Sequence, residues 1–195
     1  MSIDVARIEA AVAEILDAVG EDPARAGLTA TPRRVAEAYS EFFAGNHVDP
    51  LDHLADSIEF TANSDQTGEL VVLRDIEFRS MCEHHLLPFL GVAHVAYVPD
   101  ERIIGLGSLA RVVETISARA QLQERLTEEI AGAIDEGLSP RGVLVVIDAV
   151  HGCVSARGSR QTSSSTVTLA SRGVLSDPVE RAEVIALIGG RGGNA

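Results

Sequence analysis

The chain has 195 residues, 46% of them hydrophobic, which is typical of one globular domain with a substantial core. Its formal net charge of −13 argues against a nucleic-acid partner, because phosphate backbones are bound by clustered Lys and Arg. The first twenty residues lack the basic start of a signal peptide, and no apolar run is long enough to span a bilayer. We therefore expect a cytoplasmic protein without membrane contact.

The N-terminal part of the chain is predicted to be helical. Residues 3–19 place apolar side chains at helical spacing, and a second helix is predicted over "TPRRVAEAYSEFF", with Thr31 as its N-cap. Residues 45–57 contain Gly, Asn, Pro and Asp and are interpreted as a linker.

The rest of the chain alternates pairs of strands with pairs of helices. The segments "LVVLRDIEF" and "GVAHVAYVPD" have the character of strands, and "SLARVVETISARA" and "QERLTEEIAGAIDEG" that of helices. A second strand pair follows in "RGVLVVIDAVHGCV" and "TSSSTVTLAS", before a short helix near residues 178–188. This order predicts an α+β domain whose antiparallel sheet is covered on one face.

A metal site is the strongest chemical signal in the sequence. Cys82 and His85 form a C-x-x-H arrangement between two predicted strands, and Cys153 ends a distant one. If those strand ends are neighbours, two thiolates and an imidazole form a donor set that suits zinc. Three protein ligands leave a fourth position open, which is typical of catalytic rather than structural zinc.

Two further histidines, His84 and His151, adjoin these candidate ligands. An unperturbed pKa of about 6.5 suits histidine to proton transfer at cellular pH. The alternatives are that the cysteines are small core residues, that the histidines are satisfied core residues, or that the metal is purely structural. The concentration of both cysteines and three of the six histidines in two short segments favours a catalytic metal.

Four segments together resemble the GTP cyclohydrolase I family, in the same order and at similar intervals. They are "SMCEHHLLPFLGVAHVAYVPD", "IIGLGSLARVVE", "QLQERLTEEI" and "IDAVHGCVSARG". The resemblance implies a T-fold, with an antiparallel sheet and two helices on one face, preceded by N-terminal helices. It divides the chain into a helical segment at 1–50, a T-fold catalytic domain at 58–188 and a flexible tail at 189–195. It also implies a toroidal homodecamer with active sites at subunit interfaces.

The chemistry implied by this resemblance is hydrolysis of GTP at C8 of the guanine ring. Cys82, His85 and Cys153 would bind Zn²⁺, which would activate the attacking water. His84 and His151 would transfer protons, and formate would be released from the opened ring. Re-cyclisation would then give 7,8-dihydroneopterin triphosphate, the entry to folate and other pterins.

The resemblance also implies a set of substrate-binding residues. Gln123 and Glu124 match the family's guanine-binding pair, and a carboxylate can accept two hydrogen bonds from N1 and the exocyclic amine of guanine. Arg111, Arg157 and Arg34 match positions at the triphosphate, where guanidinium groups suit phosphate oxygens.

One turn departs from the family pattern. Where the family usually has G-L-S-K, this chain has "GLGS", so Gly107 and Ser108 replace a serine near the ribose and a lysine near the phosphates. Ser108 could recover one of these roles, or could simply cap the following helix. Two other functions therefore stay open: a divergent homologue that opens GTP or a related purine without completing the pterin, and a non-catalytic, zinc-containing, nucleotide-binding subunit.

Overall fold

The computed structural model describes residues 3–59 and 69–190. Two helices open the chain and pack against each other: α1 (Val5–Ala18) and α2 (Thr31–Phe42). Asp4 caps α1 by accepting a hydrogen bond from the Arg7 backbone N–H at 3.0 Å. Helix α2 begins one residue earlier than expected, with Ala30 rather than Thr31 at the cap position, so the predicted N-cap is wrong.

A five-stranded sheet forms the centre of the molecule. The described residues contain seven strands in all, five of them in this sheet: β1 (Ile58–Glu59), β2 (Val71–Cys82), β3 (Pro88–Val98), β4 (Arg102–Ile103), β5 (Ala120–Gln121), β6 (Gly142–His151) and β7 (Thr166–Gly173). The order across the sheet is β5-β2-β3-β6-β7, and β1 pairs separately with β4. All pairs among the four long strands are antiparallel, and only the two-residue β5 joins in parallel. The predicted antiparallel sheet is confirmed.

Two helices cover one face of this sheet. They are α3 (Leu106–Ser117) and α4 (Gln123–Leu138). Alternate residues of the strands point towards these helices, as a half-buried sheet requires. The shared core is tightly buried at its centre, where Leu109, Ile116, Ile130, Tyr97 and Ile147 are each at most 1% exposed. An antiparallel sheet with two helices on one face is the T-fold arrangement that the resemblance implied.

Within residues 3–59 and 69–190, the opposite face of the sheet is covered only at one end. There the last helix, α6 (Pro178–Gly189), packs a smaller apolar cluster containing Val184, Leu144 and Ala96 against the strands. A short helix, α5 (Gly152–Ser155), follows β6 directly.

The segment interpreted as a linker is part of the main core, so that interpretation is wrong. It forms two short 3₁₀ helices, Ala44–His47 and Pro50–Leu54, and Leu54 is 2% exposed within the core beneath α3 and α4. Arg119 fixes the segment by donating hydrogen bonds of 2.9 Å to two of its backbone carbonyls. The Gly and Pro residues of this segment do form turns, but these turns pack the segment against the helices.

The predicted flexible tail falls mainly outside the described residues. Gly189 is the last residue of α6, and residues 191–195 are not described. Across 3–59 and 69–190, no helix combines the length and apolar character needed to cross a bilayer.

Candidate metal centre and active site

A tight turn between β2 and β3 carries the first two candidate ligands. The backbone N–H of Leu86 donates to the Cys82 carbonyl at 2.8 Å, and the N–H of Cys82 donates to the Leu87 carbonyl at 2.9 Å. Leu86 has a φ of +49°, a left-handed conformation that non-glycine residues seldom adopt. The turn thus folds His85 back beside Cys82 at the end of the strand.

The third candidate ligand reaches the same place through the register of β3 and β6. Phe89 lies opposite His151 in this antiparallel pair, so the start of β3 adjoins the end of β6. Gly152 passes so close to the neighbouring strand that a Cβ there would stand 2.7 Å from the Pro88 carbonyl oxygen. Cys153 follows on α5, and the predicted adjacency of the two strand ends is confirmed.

The three candidate metal ligands converge. One donor atom each from Cys82, His85 and Cys153 lies within 4.8 Å of the others, and Cys82 Sγ is 3.9 Å from His85 Nδ1. Tetrahedral zinc with Zn–S near 2.3 Å and Zn–N near 2.0 Å separates such ligand atoms by about 3.5–3.8 Å. The donor set and its spacing therefore fit zinc with small adjustments.

The electrostatics of the two thiols also favour a cation. Burial, followed by the neighbouring Cys82, raises the pKa of the Cys153 thiol, and the charge of Arg157 offsets this only in part. Two adjacent thiolates are unfavourable without a positive ion to hold them together. Arg157, although exposed, lies close enough to influence the site.

His151 lies beside this cluster in a fixed position. Its ring stacks on Phe89, with centroids 4.6 Å apart and planes within 6° of parallel. Its Nε2 lies 2.7 Å from Gln123 Oε1. Burial lowers the pKa of His151, and the carboxylate of Glu124 counteracts this in part, which places Glu124 near the ring. His84 is exposed and meets the ring of His85 edge-on at 6.2 Å.

Three predicted substrate residues lie elsewhere in the chain. The start of α3 adjoins the far end of β3, where the backbone N–H of Ile104 donates to Tyr97 Oη at 3.4 Å. Eight residues of strand, about 26 Å, separate Tyr97 from Phe89 at the candidate metal centre. Ser108 and Arg111 are therefore not brought to that centre within one chain. Arg34 is likewise an exposed residue near the start of α2.

Ser108 does not cap α3, so that alternative is wrong. Gly105 occupies the cap position, and Ser108 lies inside the first turn with its N–H donating to the Gly105 carbonyl at 2.9 Å. The Ser108 side chain is 7% exposed and accepts a hydrogen bond from Arg111 Nη2 at 2.9 Å.

A polar network that the sequence did not reveal supports the turn that carries Cys82 and His85. Arg125 on α4 bridges to Glu83 in the turn, and its Nε donates to Gln121 Oε1 at 3.0 Å. Gln121 is 2% exposed, and its Nε2 donates to Glu129 at 2.8 Å. In the sequence, only the position of Glu83 between Cys82 and the two histidines indicated that this residue could have a role at the site.

The fold and site define a class of protein: a T-fold domain carrying a three-residue group that could hold a metal ion, beside a partly buried histidine. The family model described as GTP cyclohydrolase I matches residues 8–189. The chain therefore belongs to the GTP cyclohydrolase I family.

Relatives span nearly the whole chain. GTP cyclohydrolase 1 of Leifsonia xyli subsp. xyli is 60% identical over 186 residues, 95% of this chain and 96% of that protein. The proteins of the same name from Geobacillus sp. and Rhodopirellula baltica are each 52% identical to this chain. The matched region covers 98% of the first protein and 80% of the second. Among solved structures, the archaeosine synthase QueF-Like in its apo form covers 55% of this chain at 17% identity with a TM-score of 0.46, too loose a likeness to carry weight.

Proposed function

We propose that this protein opens the imidazole ring of GTP by zinc-dependent hydrolysis at C8, releases formate, and re-closes the product to 7,8-dihydroneopterin triphosphate. Relatives named GTP cyclohydrolase 1 at 52–60% identity support this activity. The observation that carries the proposal is the convergence of Cys82, His85 and Cys153 beside His151, which unites a three-ligand metal site with a proton-transfer group.

In this proposal Cys82, His85 and Cys153 hold Zn²⁺, and their two thiolates offset its charge. When bound with one position open, zinc supplies Lewis-acid activation of water near neutral pH. Thiol ligands must stay reduced to bind the ion, which suits the reducing conditions of the cytoplasm, where we place the protein.

The protein's own contribution to the hydrolysis is proton transfer. Addition of water at C8 requires a base, and cleavage of the ring requires a proton for the departing nitrogen. We assign these transfers to His151, which is held by Phe89 and Gln123, and to His84, which is exposed on the metal-binding turn. Burial lowers the pKa of His151, so its neutral form is favoured before substrate binds.

We assign guanine recognition to the first turn of α4. The Glu124 carboxylate is exposed near His151 and can accept hydrogen bonds from N1 and the exocyclic amine, which adenine does not offer in the same pattern. Gln123 adjoins it, but its side chain is 1% exposed and bonded to protein groups, so a contact with the base would use its backbone N–H at the helix start.

The triphosphate site in this proposal is shared between subunits. Arg157 lies near the candidate metal centre of its own chain, whereas Arg111 and Ser108 lie away from it and Arg34 is exposed on α2. A second or third subunit, as in the decamer implied by the family, would bring these groups to the centre. In a chain of net charge −13, arginines gathered from several subunits would create the local positive field that a triphosphate requires.

The uncovered face of the sheet also supports an oligomer. Near the candidate metal centre it exposes large apolar side chains: Leu90, Val150, Val167 and Leu169 are 43–60% exposed. Contiguous apolar patches of this kind mark protein–protein contact surfaces.

A second candidate function follows from the turn at Gly107 and Ser108. Gly107 lacks the hydroxyl group, and Ser108 the ammonium group, that the family usually has at these two positions. The residues proposed for ring opening are all present. A homologue that opens the ring but does not re-close it is therefore the chief alternative. A non-catalytic, nucleotide-binding subunit is the other.

One experiment separates these functions. Zinc-loaded protein is incubated with GTP, and formate is measured together with the mass of the product. Equal amounts of formate and dihydroneopterin triphosphate are expected. A ring-opened triphosphate as the final product would support the divergent homologue, and absence of formate would contradict both enzymatic functions. Cys153→Ala should lose both zinc and turnover, and turnover without bound zinc would refute the proposed metal dependence.

A further inference from the structure

Gln123 is bonded through every polar atom of its side chain. The residue is 1% exposed at the start of α4. Its Nε2 lies 2.7 Å from the Thr166 carbonyl oxygen, 3.2 Å from the Ile147 carbonyl oxygen and 3.1 Å from Thr168 Oγ1. Its Oε1 lies 2.7 Å from His151 Nε2. The amide therefore links two strands of the sheet to the histidine beside the metal centre.

These partners fix which way the amide points. The carbonyl oxygens of Ile147 and Thr166 can only accept hydrogen bonds, so the group facing them must be the NH₂ of Gln123. The reversed amide would place Oε1 2.7 Å from a carbonyl oxygen with no proton between them. The Ile147 carbonyl, in a buried contact, and the Thr166 carbonyl, in a partly buried one, would then lose a donor, which native structures avoid. Oε1 therefore faces His151.

The neighbouring hydroxyl groups agree with this direction. Thr127 Oγ1 lies 2.7 Å from the backbone carbonyl oxygen of Gln123, so the only proton of this hydroxyl is donated there. Thr168 Oγ1 lies 2.7 Å from Thr127 Oγ1 and must donate its own proton to it. Thr168 is then left as an acceptor towards Gln123 Nε2. The two protons of Gln123 Nε2 are thus shared among three groups that all accept: the two carbonyl oxygens and Thr168 Oγ1.

We propose that Gln123 is a positioning residue that holds neutral His151 as the tautomer with its proton on Nε2. Because Oε1 can only accept, His151 Nε2 must donate, and Nδ1 is left without a proton. The Phe89 stack fixes the plane of the same ring. The inference rests on the proposed function in one respect: a proton taken up by His151 during ring opening enters at Nδ1.

The tautomer can be measured on the intact protein without any turnover. Zinc-loaded full-length protein with ¹⁵N-labelled histidine is studied by solid-state NMR, and the His151 signals are assigned by their loss in His151→Asn. A protonated Nε2 and an unprotonated Nδ1 are expected. The opposite tautomer in the wild-type protein would overturn the proposal, even if every Gln123 variant failed to fold.

A matched pair of variants tests the role in catalysis. Gln123→Met keeps the length of the side chain but removes the acceptor, and should lower kcat for formate release about 100-fold with KM changed less than about threefold. It should also give a mixture of His151 tautomers. Thr168→Val removes one partner of the Gln123 amide but leaves both carbonyls, so the His151 tautomer should stay as in the wild type.

Two results for Gln123→Met would contradict the proposal. An unchanged tautomer would show that Gln123 does not set it. A raised KM with unchanged kcat would show that Gln123 contacts the base and does not act through His151. Failure of the proposed function is a separate outcome, because it would appear as absence of formate from the wild-type enzyme while the tautomer measurement still stands.

Discussion

The Arg125–Glu83 ion pair links the turn that carries the candidate ligands Cys82 and His85 to the helix that carries Gln123 and Glu124. We expect its main effect to be on zinc affinity rather than on folding. Arg125 also donates through Nη2 to the Ala120 carbonyl at 3.2 Å, so its guanidinium group is itself held in place beside the turn. Replacing Arg125 by Met or Glu83 by Gln leaves the ligands intact but releases the turn.

The expected magnitudes differ clearly between the two effects. The side chains of Arg125 and Glu83 are 43% and 31% exposed, so solvent screening limits the pair's contribution to folding to about 0.2–1 kcal/mol. Loss of groups that orient metal ligands typically costs about 10–100-fold in affinity, or about 1.4–2.7 kcal/mol. Zinc affinity should therefore change by more than the free energy of unfolding of the zinc-free protein.

Zinc affinity is measured by competition with a chromophoric chelator, and stability by urea unfolding of the zinc-free protein. Each single variant should bind zinc about tenfold more weakly, and the double variant should be no weaker than either, because the two residues form one interaction. Arg25→Met is the control, since Arg25 forms an exposed 3.0 Å pair with Glu21 on the N-terminal segment. Additive losses in the double variant, or affinities within twofold of wild type, would refute this reasoning.

Three further predictions concern single positions. Gly107→Ser should fold normally, because a Cβ at this position meets nothing nearer than a guanidinium nitrogen at 3.9 Å. If the turn limits re-closure of the ring, this variant should also raise the ratio of pterin to formate in a product assay. Gly91→Ala should lower the urea midpoint sharply or prevent soluble expression, since its Cβ would stand 2.2 Å from a carbonyl oxygen of β6. Burial lowers the pKa of His94, whose Nδ1 accepts from the Asp75 N–H at 3.2 Å. The unfolded chain therefore binds more protons, so the free energy of unfolding should fall as pH drops below about 6.5. The fall should be less steep in His94→Asn. Urea titrations at several pH values measure it, and an equal dependence on pH in the wild type and the variant would contradict this prediction.

The convergence of the three candidate ligands was predictable because their residue types are rare and chemically specific. The chain has only two cysteines, and a C-x-x-H arrangement with a distant thiol indicates zinc before any fold is known. The strands were predictable from their alternation, and the register of β3 against β6 then brings the ends together. That register could be expected only through the family resemblance, since Cys82 and Cys153 are far apart in the chain.

Other features depend on tertiary packing that local patterns do not encode. Leu54 lies in a stretch rich in turn-forming residues, yet the core beneath α3 and α4 buries it. Ser108 has the residue type of a cap, but the chain enters α3 early enough for Gly105 to take that position. For Leu54 the packing against the helix pair overrides the local pattern.

Gln123 shows the same limit at the site itself. From the sequence it is one of two polar residues at a helix start, and both can be assigned to guanine with equal reason. In the structure the two side chains separate: Glu124 remains exposed, while Gln123 turns inward to Ile147 and His151. Adjacent residues on a helix point about 100° apart. Two neighbours that the sequence assigns to one role can therefore have different roles: Glu124 can contact the substrate, while Gln123 holds the imidazole of His151. The direction of a single amide, fixed by two carbonyl oxygens, is what makes that division testable.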